Sequence, residues 1–332
     1  MADTSSEDEG MGPPLRSPPK VMASPGVERG DVEGSGKGSR GGATEKVVAH
    51  PAKSGDKGIR RDGSVGSKEK NYINNTQTTV IEEESMNNQR MLPRIVLIAC
   101  GSFNPPTPMH FRMFEIARDY YKTQGTHHVI GGIVSPTHDS YQKKGLVAGT
   151  HRFAMLKLAL QSSTWIKPSD WEIQQTEWSR TISVLQYHQN YINNYINSPL
   201  ESDMNGTLPS WMPPGLRERQ DGAQLKLLCG ADLLESFAVP GLWADKDIED
   251  IVGNHGLVVI SRNGSNPEKF IFESDMLKKY QKHITLITNW VLNEMSSTLI
   301  RRLISRDQSV KYLLDDRVID YIQRHGLFNC KT

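Results

Sequence analysis

Cysteine is scarce. Three occur in 332 residues, at Cys100, Cys229 and Cys330, with no CxxC pair and no histidine spacing that would complete a zinc set. A disulfide scaffold and a zinc finger are thereby excluded, and a reduced intracellular protein is the simplest expectation. Long apolar runs are missing as well. None approaches the ~18 residues of a membrane span, and the first residues lack the apolar stretch of a signal peptide. Neither is expected, so the Asn-x-Ser/Thr matches at Asn74, Asn205 and Asn263 are read as accidents. Charge of one sign is also absent: Lys and Arg total 39 against 38 for Asp and Glu, a net of +1. No clustered basic excess speaks for a nucleic-acid partner.

Aromatic residues are absent up to Tyr72, while 13 of the 28 glycines fall in the first 70 positions. Residues 1–88 cannot bury enough apolar surface to offset the entropy of ordering. They are expected to form a disordered Gly/Pro/Ser-rich tail without a part in activity. GSGKGSRGG at 34–42 has the look of a phosphate loop, but no strand precedes it and no helix pattern follows. The cluster Lys57, Arg60 and Arg61 is read as solvated charge rather than a nuclear address, so a cytoplasmic location is expected, with the nucleus as the alternative.

From Leu92 the pattern changes to apolar strands alternating with amphipathic helices, which predicts one parallel, doubly wound α/β sheet over 89–330. The apolar run 95–100 stops at Gly101 and enters GSFNPPTPMH, a strand–loop–helix unit whose helix would aim free N–H groups at a ligand. Gly101 lets an anion approach the backbone, and Pro108 suits the first helical turn. His110 then stands near the ligand end, although its spacing to Met113, Phe114, Ala117 and Tyr121 also fits a core histidine.

A second strand is predicted over 128–135, broken by Gly131 and Gly132, and a polar loop follows it with Lys143 and Lys144, two point charges for a phosphate. A helix is predicted over 150–163. The spacing next predicts one long helix from Asp170 through 196, with Trp171 and Trp178 seven apart on one face and Thr181 a turn further. Residues 198–223 turn to Pro, Gly and Ser, a surface insertion. The strand 225–229 again ends at a glycine, Gly230, with Asp232 just beyond, a carboxylate for ribose hydroxyls or a cap for the next helix. Near the end, NEMSSTLIRR supplies Ser296, Ser297 and Thr298 as helix caps, with Arg301 one turn on, a second place where hydroxyls, amides and a guanidinium meet.

In this order, GSFNPPTPMH, SPTHDSYQKKGL, DWE followed by TEW and Thr181, LLCGADLLESFAVPGLW and SSTLIRR resemble the eukaryotic nicotinamide/nicotinate-mononucleotide adenylyltransferases of the nucleotidyltransferase superfamily. The superfamily's HxGH or TxGH motif stands here as Thr107, Pro108, Met109 and His110, and its ISSTxxR as MSSTLIR from Met295. The resemblance covers about 91–328 and implies a Rossmann-like α/β/α sandwich. It implies a direct transfer in which the 5′-phosphate of nicotinamide mononucleotide, or of nicotinate mononucleotide, attacks the α-phosphorus of ATP. By carry-over, His110 and Arg301 bear on the ATP phosphates. Gly101, Ser102 and Phe103 line the centre, and Ser297, Thr298, Leu299 and Ile300 offer the helix N-terminus. Gly230, Asp232 and Asn293 serve adenosine. Lys143 and Lys144 hold the mononucleotide phosphate, Trp178 stacks on the pyridine, and Thr181, Leu242 and Trp243 surround the carboxamide. Magnesium is implied to arrive with ATP.

A homo-oligomer is expected, and client proteins are the partners of a chaperone-like second role that some family members are credited with. The rival readings are another adenylyl- or cytidylyltransferase, such as a phosphopantetheine adenylyltransferase, and a non-catalytic binding protein. A class I aminoacyl-tRNA synthetase shares the first loop, but no KMSKS-like lysine motif is present.

Overall fold

A computed structural model describes residues 92–141, 143–198, 208–261, 265–291 and 295–331. The expected tail, Asn293 and positions 199–207 of the expected insertion lie outside the described residues.

Six strands form one sheet in the order β3-β2-β1-β4-β5-β6, every neighbouring pair parallel. They are β1 Arg94–Gly101, β2 His128–Pro136, β3 Ile166–Pro168, β4 Gln224–Gly230, β5 Leu257–Ser261 and β6 Ile284–Thr288. Helices cover both faces, which explains why β1 reads as an unbroken apolar run instead of alternating with polar residues. On one face Ile95 and Leu97 of β1 meet Phe114, Ala117 and Tyr121 of helix α1, Pro108–Gln124. On the other, Val96 and Ile98 join Ile182, Leu185 and Ile192 of helix α3, Thr181–Asn197. Each such fully buried side chain contributes about 1.5–3 kcal/mol of burial free energy. The doubly wound sheet expected from the alternation is the one observed.

Helix α2, Gly149–Ala159, crosses from β2 to β3. Beyond β4 come α4 Ala231–Ser236 and α5 Asp245–Asp250, the latter widening into a π turn at Ile251–His255. Helices α6 Pro267–Glu273 and α7 Asp275–Lys279 link β5 to β6, and α8 Ser297–Ser305 and α9 Asp316–Arg324 close the described chain. Met155 of α2, Ile300 and Ile304 of α8, and Val318 and Ile322 of α9 share a third core cluster. Met155 thereby fixes α8 against the sheet domain.

Three expectations need correction. Strand β2 continues through Gly131 and Gly132, and the only irregularity is a register shift just before them, where Ile130 is skipped between the Ile95–Val129 and Val96–Gly131 pairs. Those glycines allow close approach: a Cβ on Gly131 would lie 2.5 Å from Pro213, and one on Gly132 2.8 Å from Phe114. The long helix from Asp170 does not form either. A 3-10 turn at Glu172–Gln174 ends in extended chain, and α3 begins only at Thr181 after an extended Arg180. The cause is tertiary. The Trp171 ring stacks on Tyr187 at 4.3 Å, whereas an unbroken helix would separate residues so far apart in sequence by about 24 Å. Trp171 and Trp178 therefore share no helical face. Finally, the described part of the insertion is anchored inward. Trp211 is 2% exposed and its ring meets His188 at 4.6 Å, and the buried guanidinium of Arg94 donates to the carbonyls of Gly215, Leu216, Arg219 and Gly222.

Candidate active site

The strand order reverses between β1 and β4, the place where open α/β sheets receive ligands beyond the carboxyl ends of their strands. Gly101 ends β1 there and Gly230 ends β4. After Gly101 the chain turns through Phe103, whose φ of 43° lies in the left-handed region. Its buried ring lies 3.5 Å from where a Gly101 Cβ would sit and edge-on to the His110 imidazole at 5.1 Å. His110 Nδ1 accepts the Thr107 backbone N–H at 2.8 Å, with the Thr107 hydroxyl at 3.0 Å. An accepting Nδ1 places the proton of the neutral ring on Nε2, which is thereby a hydrogen-bond donor. His110 is half-buried at the ligand end of α1, not sunk in the core.

The loop also holds the last helical motif. Asn104 is fully buried; its amide donates to Gly145 O at 2.8 Å and its Oδ1 accepts from Val147 N at 3.2 Å. Its own carbonyl accepts Arg301 Nη1 at 2.8 Å, and the next carbonyl, of Pro105, accepts the Ser297 hydroxyl at 2.8 Å. Arg301 Nη2 also donates to Thr298 Oγ1 at 3.3 Å. Ser296 is the N-cap of α8 and accepts from Leu299 N. The Leu299 and Ile300 amides are thus engaged at Ser296, and the Ile300 side chain lies in the core. Of the four residues expected to present the helix N-terminus, Ser297 and Thr298 carry the amides that face outward from the first turn.

Three cations converge on this crevice. Lys143 sets its ammonium 3.0 Å from Ser102 Oγ. Burial first, and then the Arg301 guanidinium, depress its pKa below the usual lysine range, with Arg152 adding to the effect and Asp232 opposing it. Arg152 is fully buried and donates to Ser102 O at 3.2 Å, Thr137 O at 2.6 Å and Val147 O at 2.8 Å, while paired with Asp139 at 2.8 Å. It ties the ends of β1 and β2 to the loop that carries Lys143. Lys143 and Lys144 are both exposed as whole residues, but whereas Lys143 reaches Ser102, no hydrogen bond or ion pair joins Lys144 to another described residue.

On the β4 side Asp232 folds its carboxylate over Gly230, so that a Cβ at Gly230 would collide with it. Gly230 is itself the N-cap of α4, and Asp232 is exposed at the second helical position; it is not the cap. The aromatic side is built from separate loops. Trp178 is 37% exposed and stacked with Tyr141 at 6.3 Å, close to Thr181 at the first position of α3. Leu242 and Trp243 are half-buried, and Trp243 donates Nε1–H to Ser236 Oγ at 3.1 Å and packs edge-on against Phe237.

Sequence reasoning missed Asn104, Tyr141, Arg152 and Glu172. Glu172 is 3% exposed beneath the site and accepts the Ser135 hydroxyl at 2.9 Å. Burial raises its pKa to about 7, against the opposing hydrogen bonds of Ser135, Thr137 and the His138 backbone and the charge of Arg152. A charged residue inside the apolar pattern around Phe153 and Leu156 was the available signal for Arg152; nothing local marked the other three.

Among the described residues no group of three or more His, Cys, Asp or Glu side chains could hold a metal ion. Asp232 alone does not build a resident magnesium site. A cavity of about 650 Å³ lies elsewhere, beside α1, lined by Met109, Arg112, Arg118 and Trp165 and by none of the converging cations. No helix of the described residues is long and apolar enough to cross a membrane.

Residues 98–303 match the model of the cytidylyltransferase-like family. The chain is similar to a nicotinamide-nucleotide adenylyltransferase of Drosophila melanogaster, at 67% identity over 73% of this chain and 63% of that protein. It is also similar to nicotinamide/nicotinic acid mononucleotide adenylyltransferase 1 of Bos taurus, at 42% identity over 72% of this chain and 90% of that one. A third relative, the nicotinamide/nicotinic acid mononucleotide adenylyltransferase of Arabidopsis thaliana, is 39% identical over 70% of this chain and 90% of its own length. The match therefore spans less than two thirds of the Drosophila protein and nine tenths of the other two.

Proposed function

This chain belongs to the eukaryotic nicotinamide-nucleotide adenylyltransferases, within the cytidylyltransferase-like family, and on that premise we propose that it makes NAD and pyrophosphate from ATP and nicotinamide mononucleotide. A 5′-phosphate oxygen of the mononucleotide attacks the α-phosphorus of ATP, the bond to the β-phosphate oxygen breaks, and pyrophosphate leaves with that electron pair. Nicotinate mononucleotide is the second acceptor. The observation that supports this best is the meeting of Lys143, Arg152 and Arg301 at the switch point, with the His110 Nε2–H donor beside them.

Such a transfer needs little covalent chemistry from the protein. It needs two anions held together and the charge on the transferred group neutralised. Lys143 takes the mononucleotide phosphate; Arg301 and His110 take the triphosphate, with the Ser297 and Thr298 amides. Arg152 does not touch either ligand but positions Ser102 and the Lys143 loop. Gly230 and Asp232 receive the adenosine, Trp178 the pyridine face. Magnesium enters with ATP, and no step above is routed through it.

The test is pyrophosphate release by purified protein with ATP, magnesium and one of three acceptors: nicotinamide mononucleotide, nicotinate mononucleotide or phosphopantetheine. Release with a pyridine mononucleotide, lowered about a hundredfold in His110→Ala, the scale for a positioned phosphoryl stabiliser, is the expected result. Release with phosphopantetheine alone would move the assignment to another adenylyltransferase, and near wild-type turnover of His110→Ala would remove His110 from the mechanism. The chaperone-like role is a separate proposal, tested by whether the His110→Ala protein still suppresses aggregation of a heated client.

A further inference from the structure

The two segments assigned to the pyridine end come from distant parts of the chain. Trp178 and Thr181 precede and open α3, while Leu242 and Trp243 precede α5. An ion pair joins them. Arg180, the extended residue between Trp178 and Thr181, sets Nη1 at 2.8 and 3.0 Å from the two carboxylate oxygens of Asp247, which stands in the first turn of α5. The Arg180 side chain is 58% exposed and that of Asp247 11%. Asp247 is further fixed by its backbone N–H to Ala244 O at 2.9 Å, next to Trp243.

Both halves of the pair thus stand next along the chain to residues assigned to the ring substituent, Arg180 directly before Thr181 and Asp247 four residues after Trp243. That substituent is all that separates the two acceptors: a neutral carboxamide in one, a carboxylate in the other. We propose that the Arg180–Asp247 pair sets the choice between the two acceptors, Arg180 favouring the carboxylate and Asp247 opposing it, so that the near-neutral pair admits both. The inference rests on the reaction proposed above. A unit charge within a few ångströms of the carboxylate would act strongly in a dry site, and exposure of Arg180 weakens it. The expected effect of removing one partner is roughly three- to tenfold in relative specificity.

The test is the ratio of kcat/KM for nicotinate mononucleotide to that for nicotinamide mononucleotide, measured on the full-length protein and on Arg180→Gln, Arg180→Lys and Asp247→Asn. Arg180→Gln and Asp247→Asn break the same bond, so a purely structural clamp would move the ratio the same way in both, or leave it alone. Opposite charge effects instead predict that Arg180→Gln lowers the ratio, Asp247→Asn raises it and Arg180→Lys keeps it near the starting value. Movement in one direction, or none, overturns the inference. Should Asp247→Asn fail to fold, the exposed position decides: a fall in Arg180→Gln with retention in Arg180→Lys supports it, and equal ratios overturn it. If the unmodified protein turns over neither acceptor, the proposed reaction fails and the inference with it, a result distinct from an unmoved ratio.

Discussion

Single residues carry most of the chemistry, and their protonation states follow from their partners. His110 owes its donor to the Thr107 amide that occupies Nδ1. Glu172 is the opposite case, a carboxyl whose neutral form is favoured by burial. Raised from 4.5 to about 7 in the folded protein, it holds a proton that the unfolded chain has released across that window. Stability therefore falls as pH rises from about 4.5 to about 7 and is level above it, by about 3 kcal/mol for this group taken alone. Urea unfolding at pH 5 and pH 8 checks the sign: Glu172→Gln should lose less stability between the two than the unmodified protein. An equal or larger loss in Glu172→Gln would mean that Glu172 is ionised in the fold at both values.

At the scale of elements, the loop after β1 works because three other segments hold it. Helix α8 reaches it through Ser297 and Arg301, the 143–147 loop through Asn104, and α2 through Arg152. The backbone of this loop is thereby fixed by its own side-chain partners, the preorganisation that the proposed transfer requires. The segment at 208–223 is held in a comparable way, by Arg94 at the opposite end of β1 and by Trp211 against α3. Trp211→Ala should cost about 3–5 kcal/mol, the range for a buried aromatic that leaves a cavity, measured by the urea midpoint. A loss under ~0.5 kcal/mol is what a surface position would give, and would contradict the anchoring.

Over the whole molecule, what could be read from the sequence was what local chemistry decides. Gly101 and Pro108 announce the loop and helix start, the run from Ile95 to Cys100 announces a strand buried on both faces, and strand–helix alternation announces the parallel sheet, all as observed. Failures came where distant partners overrode local pattern. Trp171 leaves helical periodicity to stack on Tyr187, Gly131 reads as a breaker but makes room for Pro213, and Trp211 is drawn inward from a Pro- and Gly-rich stretch. Arg152 gathers Ser102 from the loop after β1 and Thr137 and Val147 from the two ends of the loop after β2, a meeting that exists only once the sheet has formed. The central claim is that this assembly transfers the adenylyl group of ATP to a pyridine mononucleotide. Its most direct measurement uses ATP labelled separately at the α- and γ-phosphates, with nicotinamide mononucleotide and magnesium. The account predicts α-label in the dinucleotide and γ-label in pyrophosphate; γ-label on the mononucleotide, or α-label released as free AMP with no dinucleotide formed, would contradict it.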